Sequence, residues 1–132
     1  GDGADGAKND LNVVNEIAKI NPNLFLYLGD VYESGSFTEF YNWYGTGSTS
    51  YSQFLSITDP TIGNHEYVGS SAAGYFDYWN NIPNYYSFNA GGWHFISLNS
   101  NSSHIGVNST SAQYAWLQQD LAANSSICTI VW

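Results

Sequence analysis

A helical stretch that stops at a proline and hands over to an unbroken apolar run most constrains this chain. Leu11, Val14, Ile17 and Ala18 recur at helical spacing within Lys8–Ile20, with Val13 and Ile20 beside them, which marks an amphipathic helix. Asn21-Pro22-Asn23 ends it, because proline offers no N–H to a continuing helix. Leu24-Phe25-Leu26-Tyr27-Leu28 follows without a polar break, the pattern of a strand buried on both faces. Helix then strand is half of a βαβ unit, and a strand ending at Gly1-Asp2 would supply the other half. The apolar run closes on Gly29-Asp30. A carboxylate therefore stands at the carboxyl end of a strand, where open α/β sheets hold their ligands.

Downstream, the spacing predicts a short helix over Phe37–Tyr44, a strand ending at Thr61-Ile62 and a helical turn near Tyr75–Trp79. Tyr85–Asn89 and Trp93–Leu98 flank Ala90-Gly91-Gly92, a hairpin with a glycine turn. Ser111 is placed to cap a helix reaching Ala123, with Tyr114, Leu117 and Leu121 on one face. A last strand spans Ile127–Trp132. No repeat or linker interrupts the 132 residues, about one domain's worth of chain. The order predicts an α/β fold, two-layered or sandwiched.

Composition excludes several classes of function. Hydrophobic residues are 43% and aromatics 17%, too many for a disordered chain. Lys8 and Lys19 are the only basic residues against 11 acidic ones, a net charge of −9. The phosphate-neutralising residues that nucleic-acid binding requires are missing. An anionic substrate would be repelled by the bare chain, and bound cations would reverse that local field. No apolar run has transmembrane length, and no signal peptide is visible. Low lysine and high acidity favour a secreted or periplasmic setting. Asn101-Ser102-Ser103, Asn108-Ser109-Thr110 and Asn124-Ser125-Ser126 fit the glycosylation pattern, which arises easily by chance in an Asn/Ser-rich chain. Cys128 is the single cysteine, cannot form an internal disulfide, and lies in an apolar run that predicts burial.

The chemistry concentrates in strand-end turns. Gly63-Asn64-His65-Glu66 sets an amide, an imidazole and a carboxylate side by side after Ile62. With Asp2 and Asp30 it makes three oxygen-bearing turns. If the strands are parallel neighbours, these oxygens converge. Asp30 could then bridge two cations, Asp2 serving one and Asn64 the other, in the paired arrangement that clamps the attacking and leaving oxygens of a phosphate ester. Each residue has a local alternative: Asp30 capping a turn, Asn64 closing an Asx turn, His65 acting as a structural hydrogen-bonding group. Glu66 reads as a residue that orients the loop rather than a ligand. Asp5 and Asp10 read as solvated or as partners of a helix N-terminus. The aromatics from Phe40 to Tyr44 read as core or lid packing.

Gly1-Asp2, Gly29-Asp30 and Gly63-Asn64-His65-Glu66, in that order, resemble the calcineurin-like metallophosphoesterases. Trp93–Ser100 and Ala112–Leu121 resemble the members related to purple acid phosphatases. The resemblance implies a β-sandwich with flanking helices, incomplete here, and a site with two divalent or trivalent ions, iron, zinc or manganese. It implies that Asp2 binds the first ion, Asp30 bridges, Asn64 binds the second, and His65 faces the substrate phosphoryl group. Ala4 stands where many members have a histidine. Purple acid phosphatases carry an iron-binding tyrosine three residues after the bridging aspartate; here Glu33 has that place and Tyr32 lies one residue earlier. His94 and His104 do not match the family's later histidine motifs, so residues 1–132 read as the N-terminal part of a domain, with little turnover expected alone. Two other functions fit the composition: a secreted aromatic-rich carbohydrate-binding module, which would be all-β, and a non-catalytic phosphoesterase-like scaffold.

Overall fold

The computed structural model describes residues 1–69, 71–125 and 128–132. They form two compact units, Gly1–Ile82 and Pro83–Trp132, each of mixed helix and strand.

The first unit begins with helix α1, Lys8–Ile20, which has the bounds that its spacing and its Asn-Pro-Asn stop predict. Asn21 adopts the left-handed conformation and its N–H closes on Ala18 O. The apolar stripe is narrower than expected. Val14 is buried and Ile17 partly so, while Leu11, Val13 and Ile20 are exposed. The start of α1 is fixed by Asp10, whose carboxylate accepts from the Asp5 and Gly6 N–H groups at 3.0 and 2.9 Å. Asp10 is therefore at the helix N-terminus but buried, not solvated. Burial pushes its carboxyl up, against the lowering effect of those N–H bonds.

Strand β1, Phe25–Tyr27, pairs in parallel with β2, Thr58–Pro60, Leu26 facing Asp59. Thr61 N–H extends the ladder to Tyr27 O at 2.8 Å. The expectation of burial on both faces is corrected: Leu26 is half-buried and Leu28 exposed. Among the described residues this sheet has two strands, too few to cover both faces. Ala4 makes a parallel bridge to Val31, with Tyr32 N–H on Ala4 O at 3.1 Å, so the amino-terminal segment runs beside the turn that follows β1.

Helix α2, Phe37–Glu39, continues as a π-helical turn over Phe40–Tyr44. A 3-10 segment, Ser50–Ile57, leads into β2, and α3 spans Ala73–Tyr78. The aromatics from these elements build the core. Tyr44 meets Tyr27 and Trp79 edge-on, with ring centroids 4.9 and 5.1 Å apart, and Phe40 stacks on Tyr78 at 5.0 Å. Such pairs add about 0.5–1.5 kcal/mol each beyond area burial. Ala4, Val14, Val31, Ile62, Ala72 and Tyr75 join the aromatics in this core.

In the second unit β3, Tyr86–Ala90, and β4, Trp93–Ser97, form an antiparallel hairpin. Gly91 and Gly92 make its turn at φ 56° and 82°, a conformation that only glycine adopts freely. Helix α4, Ala112–Ala123, is capped by Ser111, whose Oγ accepts from Tyr114 N–H at 3.2 Å. Strand β5, Cys128–Val131, lies parallel to β4, giving the order β3-β4-β5. Ile127, expected to start this strand, lies outside the described residues. Cys128 is exposed, not buried, because β5 is the edge of the described sheet and little packs over it. The face of α4 is also corrected. Tyr114 and Leu121 are exposed, whereas Gln113 is buried and Asp120 turns inward.

The hairpin explains that choice. Asp120 accepts from Ser87 Oγ at 2.5 Å and meets His94 Nε2 at 2.6 Å, and the other His94 nitrogen meets Asn89 Oδ1 at 2.6 Å. Gln113 exchanges two bonds with the Asn99 backbone, at 2.9 and 3.0 Å. Buried polar groups require partners, and α4 supplies them at the expense of its apolar stripe.

Candidate metal centre and active site

The three oxygen-bearing turns all belong to the first unit, and Asp30 stands between the other two. A β-carbon added to Gly1 would come within 2.8 Å of Asp30 Oδ2, and one added to Gly63 would collide with Asp30 Oδ1. His65 N–H donates to Asp30 Oδ1 at 3.0 Å. Gly29 packs so tightly on the Gly63 backbone that no side chain fits, and its φ of 74° favours glycine in any case. The parallel pairing of β1 with β2 and the Ala4–Val31 bridge account for this convergence. Parallel strands deliver their carboxyl ends to the same edge.

Asp2 and Asp30 both hold positive φ, 57° and 62°. This region is costly for residues with a side chain and tends to mark functional turns. Asp2 and Asn64 are exposed and Asp30 is half-buried. Glu66 holds the turns together. It is fully buried, and its carboxylate accepts from Val31 N–H at 2.7 Å, Asp30 N–H at 3.0 Å and Gly63 N–H at 2.7 Å. One side chain thus staples the turn after β1 to the turn after β2. Burial pushes the Glu66 carboxyl up, and the three N–H donors oppose that rise.

His65 lies at the rim. Its Nδ1 meets Glu33 O at 2.5 Å, and its ring stacks on Tyr32 with centroids 4.5 Å apart. The Glu33 carbonyl raises the imidazole pKa; desolvation opposes this, and the charges of Asp30, Asp2 and Glu66 add to the rise. A carbonyl only accepts, so Nδ1 carries a proton and Nε2 is left for a partner outside the loop. Tyr32, which sequence comparison with purple acid phosphatases put one residue out of place, is the stacking partner of this imidazole. Nothing local in the sequence signals that role. The loop itself is gathered by Glu39, which accepts from the Glu33 N–H and from the N–H and hydroxyl groups of Ser34 and Ser36. Burial alone would raise the Glu39 carboxyl, but these donors outweigh it and hold it at about 2. Ser36 and Glu39 form a capping box at the start of α2, and the same Glu39 side chain reaches the Glu33 N–H.

Among the described residues no group of three or more His, Cys, Asp or Glu side chains is poised around one ion. The chemistry of the donor set still suits hard cations. Two carboxylates and an amide sit on adjoining turns, and neither Asp2 nor Asn64 spends its side chain on a hydrogen bond to another described residue. His94 is occupied by Asn89 and Asp120 in the second unit, and His104 is exposed in a loop.

The profile of the calcineurin-like phosphoesterases matches residues 3–129. The chain belongs to this family. Its members are phosphoester hydrolases and generally depend on metal ions. Purple acid phosphatase 23 of Arabidopsis thaliana is 50% identical over 38 residues, a stretch that is 29% of this chain and 8% of that protein. The mixed helix and strand architecture agrees with the family, and helices α1 and α4 overturn the all-β fold that a carbohydrate-binding module would require. No helix among the described residues is long and apolar enough to cross a membrane.

Proposed function

We propose that this calcineurin-like phosphoesterase chain contributes to metal-dependent hydrolysis of small-molecule phosphate esters at a two-ion site. Asp2 would hold the first ion, Asp30 both, and Asn64 the second. The observation that carries the reading is the Asp30 carboxylate standing between the Gly1-Asp2 and Gly63-Asn64 turns. Bound divalent or trivalent ions, iron, zinc or manganese, would supply the positive charge that a chain of net charge −9 lacks and would acidify the attacking water. Glu66 keeps the ligand turns in register. His65, with Nδ1–H committed to Glu33 O, points its chemistry through Nε2, which donates to a phosphoryl oxygen or to the departing alkoxide when the ring holds its second proton, a form that the Glu33 carbonyl and the nearby carboxylates favour. The acidic surface argues against nucleic-acid substrates, and the same composition suits a secreted or periplasmic enzyme.

Two carboxylates and one amide are an incomplete set for two ions, so residues 1–132 alone are expected to turn over little substrate. Calorimetric titration with Mn²⁺ tests the ligands: Asp30→Ala and Asn64→Ala each weaken binding at least tenfold, about 1.4 kcal/mol. Parent-like binding by both variants would sink the assignment. Hydrolysis of para-nitrophenyl phosphate by this chain with Mn²⁺ would refute the expected lack of turnover. Metal binding without turnover in a longer chain would favour the scaffold reading.

A further inference from the structure

The loop that follows Asp30 does more than connect. Tyr32 presents its ring to the His65 imidazole at 4.5 Å and 24°. The next residue gives its carbonyl to His65 Nδ1. The Glu33–Ser34 peptide that carries this carbonyl also carries the Ser34 N–H, which donates to Glu39 at 3.3 Å, and the Glu33 N–H donates to Glu39 Oε1 at 2.7 Å. Ser34 Oγ and Ser36 Oγ each reach the same carboxylate at 2.7 Å. Hydrogen bonds in series polarise one another, so a carboxylate drawing on the N–H side of a peptide strengthens the acceptor on its C=O side.

We propose that Tyr32 and Glu39 are positioning residues for His65: Tyr32 fixes the plane of the imidazole, and Glu39 locks the loop whose Glu33 carbonyl holds the proton on Nδ1. The inference deepens the phosphoesterase reading, on which the role of His65 rests, but its own content is the orientation and tautomer of one imidazole. Free histidine in water prefers the other tautomer, and the state of a ring nitrogen is set by the bond that its partner nitrogen makes. Glu39 lies outside the ligand turns and touches neither Asp30 nor Asn64 in any hydrogen bond among the described residues.

Long-range proton–nitrogen NMR on the metal-free 132-residue chain, at one fixed alkaline pH, reads the tautomer of each histidine. The parent is expected to show His65 wholly as the Nδ1–H form. Glu39→Ala shifts both ring-nitrogen resonances toward the values of a tautomer mixture, and Glu39→Gln, which keeps one acceptor oxygen, gives a smaller shift. Tyr32→Leu broadens or moves the His65 signals, while Tyr32→Phe, which keeps the ring, restores them. The amide signals of Val31 and Gly63, both held by Glu66 in the same unit, stay in place in every variant and show that the first unit keeps its fold, while His94 and His104 report on the second unit. A merely structural role would move the Val31 and Gly63 amide signals together with His65, or leave His65 where it is. An unchanged His65 spectrum in folded Glu39→Gln and Tyr32→Leu overturns the proposal. Because no metal is present, a failure of Mn²⁺ binding leaves this result standing, and an unchanged tautomer leaves the metal-ligand assignment standing.

Discussion

Single residues carry most of what is specific here. Glu66 stands in a turn whose polar character was plain in the sequence, and reading it as a loop-orienting group rather than a ligand agrees with its three N–H partners. What no local pattern could show is that two of those partners lie 35 and 36 residues away. Tyr27 is the converse case. Its apolar neighbours announce a strand, yet its hydroxyl is buried with no hydrogen-bond partner among the described residues, and burial, then the neighbouring Tyr44 and Tyr51 phenols, push its pKa far up. An unpaired buried hydroxyl costs about 1–3 kcal/mol. Tyr27→Phe is therefore expected to stabilise the chain by about 1 kcal/mol in urea unfolding, with the Tyr44 edge contact intact. A loss of stability would mean that the hydroxyl has a partner.

Elements show where periodicity suffices and where it misleads. Helix α1 has the bounds that its spacing and its Asn-Pro-Asn stop specify, because caps and breakers act within a few residues. Helix α4 has its expected start at Ser111 but not its expected face. The apolar positions Tyr114 and Leu121 look outward because Gln113 and Asp120 are needed by Asn99, Ser87 and His94. Removing Asp120 strands a buried imidazole and a serine hydroxyl at once. Asp120→Ala should cost about 2–3 kcal/mol, the penalty of unpaired buried polar groups, read as an earlier denaturant midpoint for the second unit. Leu121→Gln, at an exposed position, should cost under about 0.5 kcal/mol. Equal effects would contradict the polar docking of α4. Strand β5 and its exposed Cys128 teach the same lesson: an apolar run specifies a strand, not how many of its faces are covered.

At the scale of the whole molecule, charge is the property that the sequence states outright. A chain of net charge −9 with two lysines attracts cations over long range. The Debye length falls from about 30 Å at 0.01 M salt to about 10 Å at 0.1 M. Mn²⁺ affinity should accordingly drop several-fold over that interval in calorimetry. An affinity independent of salt would assign binding to the ligand turns alone and none of it to the field of the chain.

The sequence by itself determined helix α1, the start of α4, the β3–β4 hairpin and the acidic field, since each depends on neighbouring residues or on a simple sum. It also put Asp2, Asp30, Asn64 and His65 on polar turns. Only the tertiary structure decided that Asp30 stands between the other two turns, that Glu66 pins them from beneath, and that Tyr32 and the Glu39 loop cradle His65. Each of these is a meeting of residues brought together by the pairing of short parallel strands. A buried carboxylate or a stacked ring acquires its meaning from the partner it meets, and that partner is chosen by packing rather than by position in the chain.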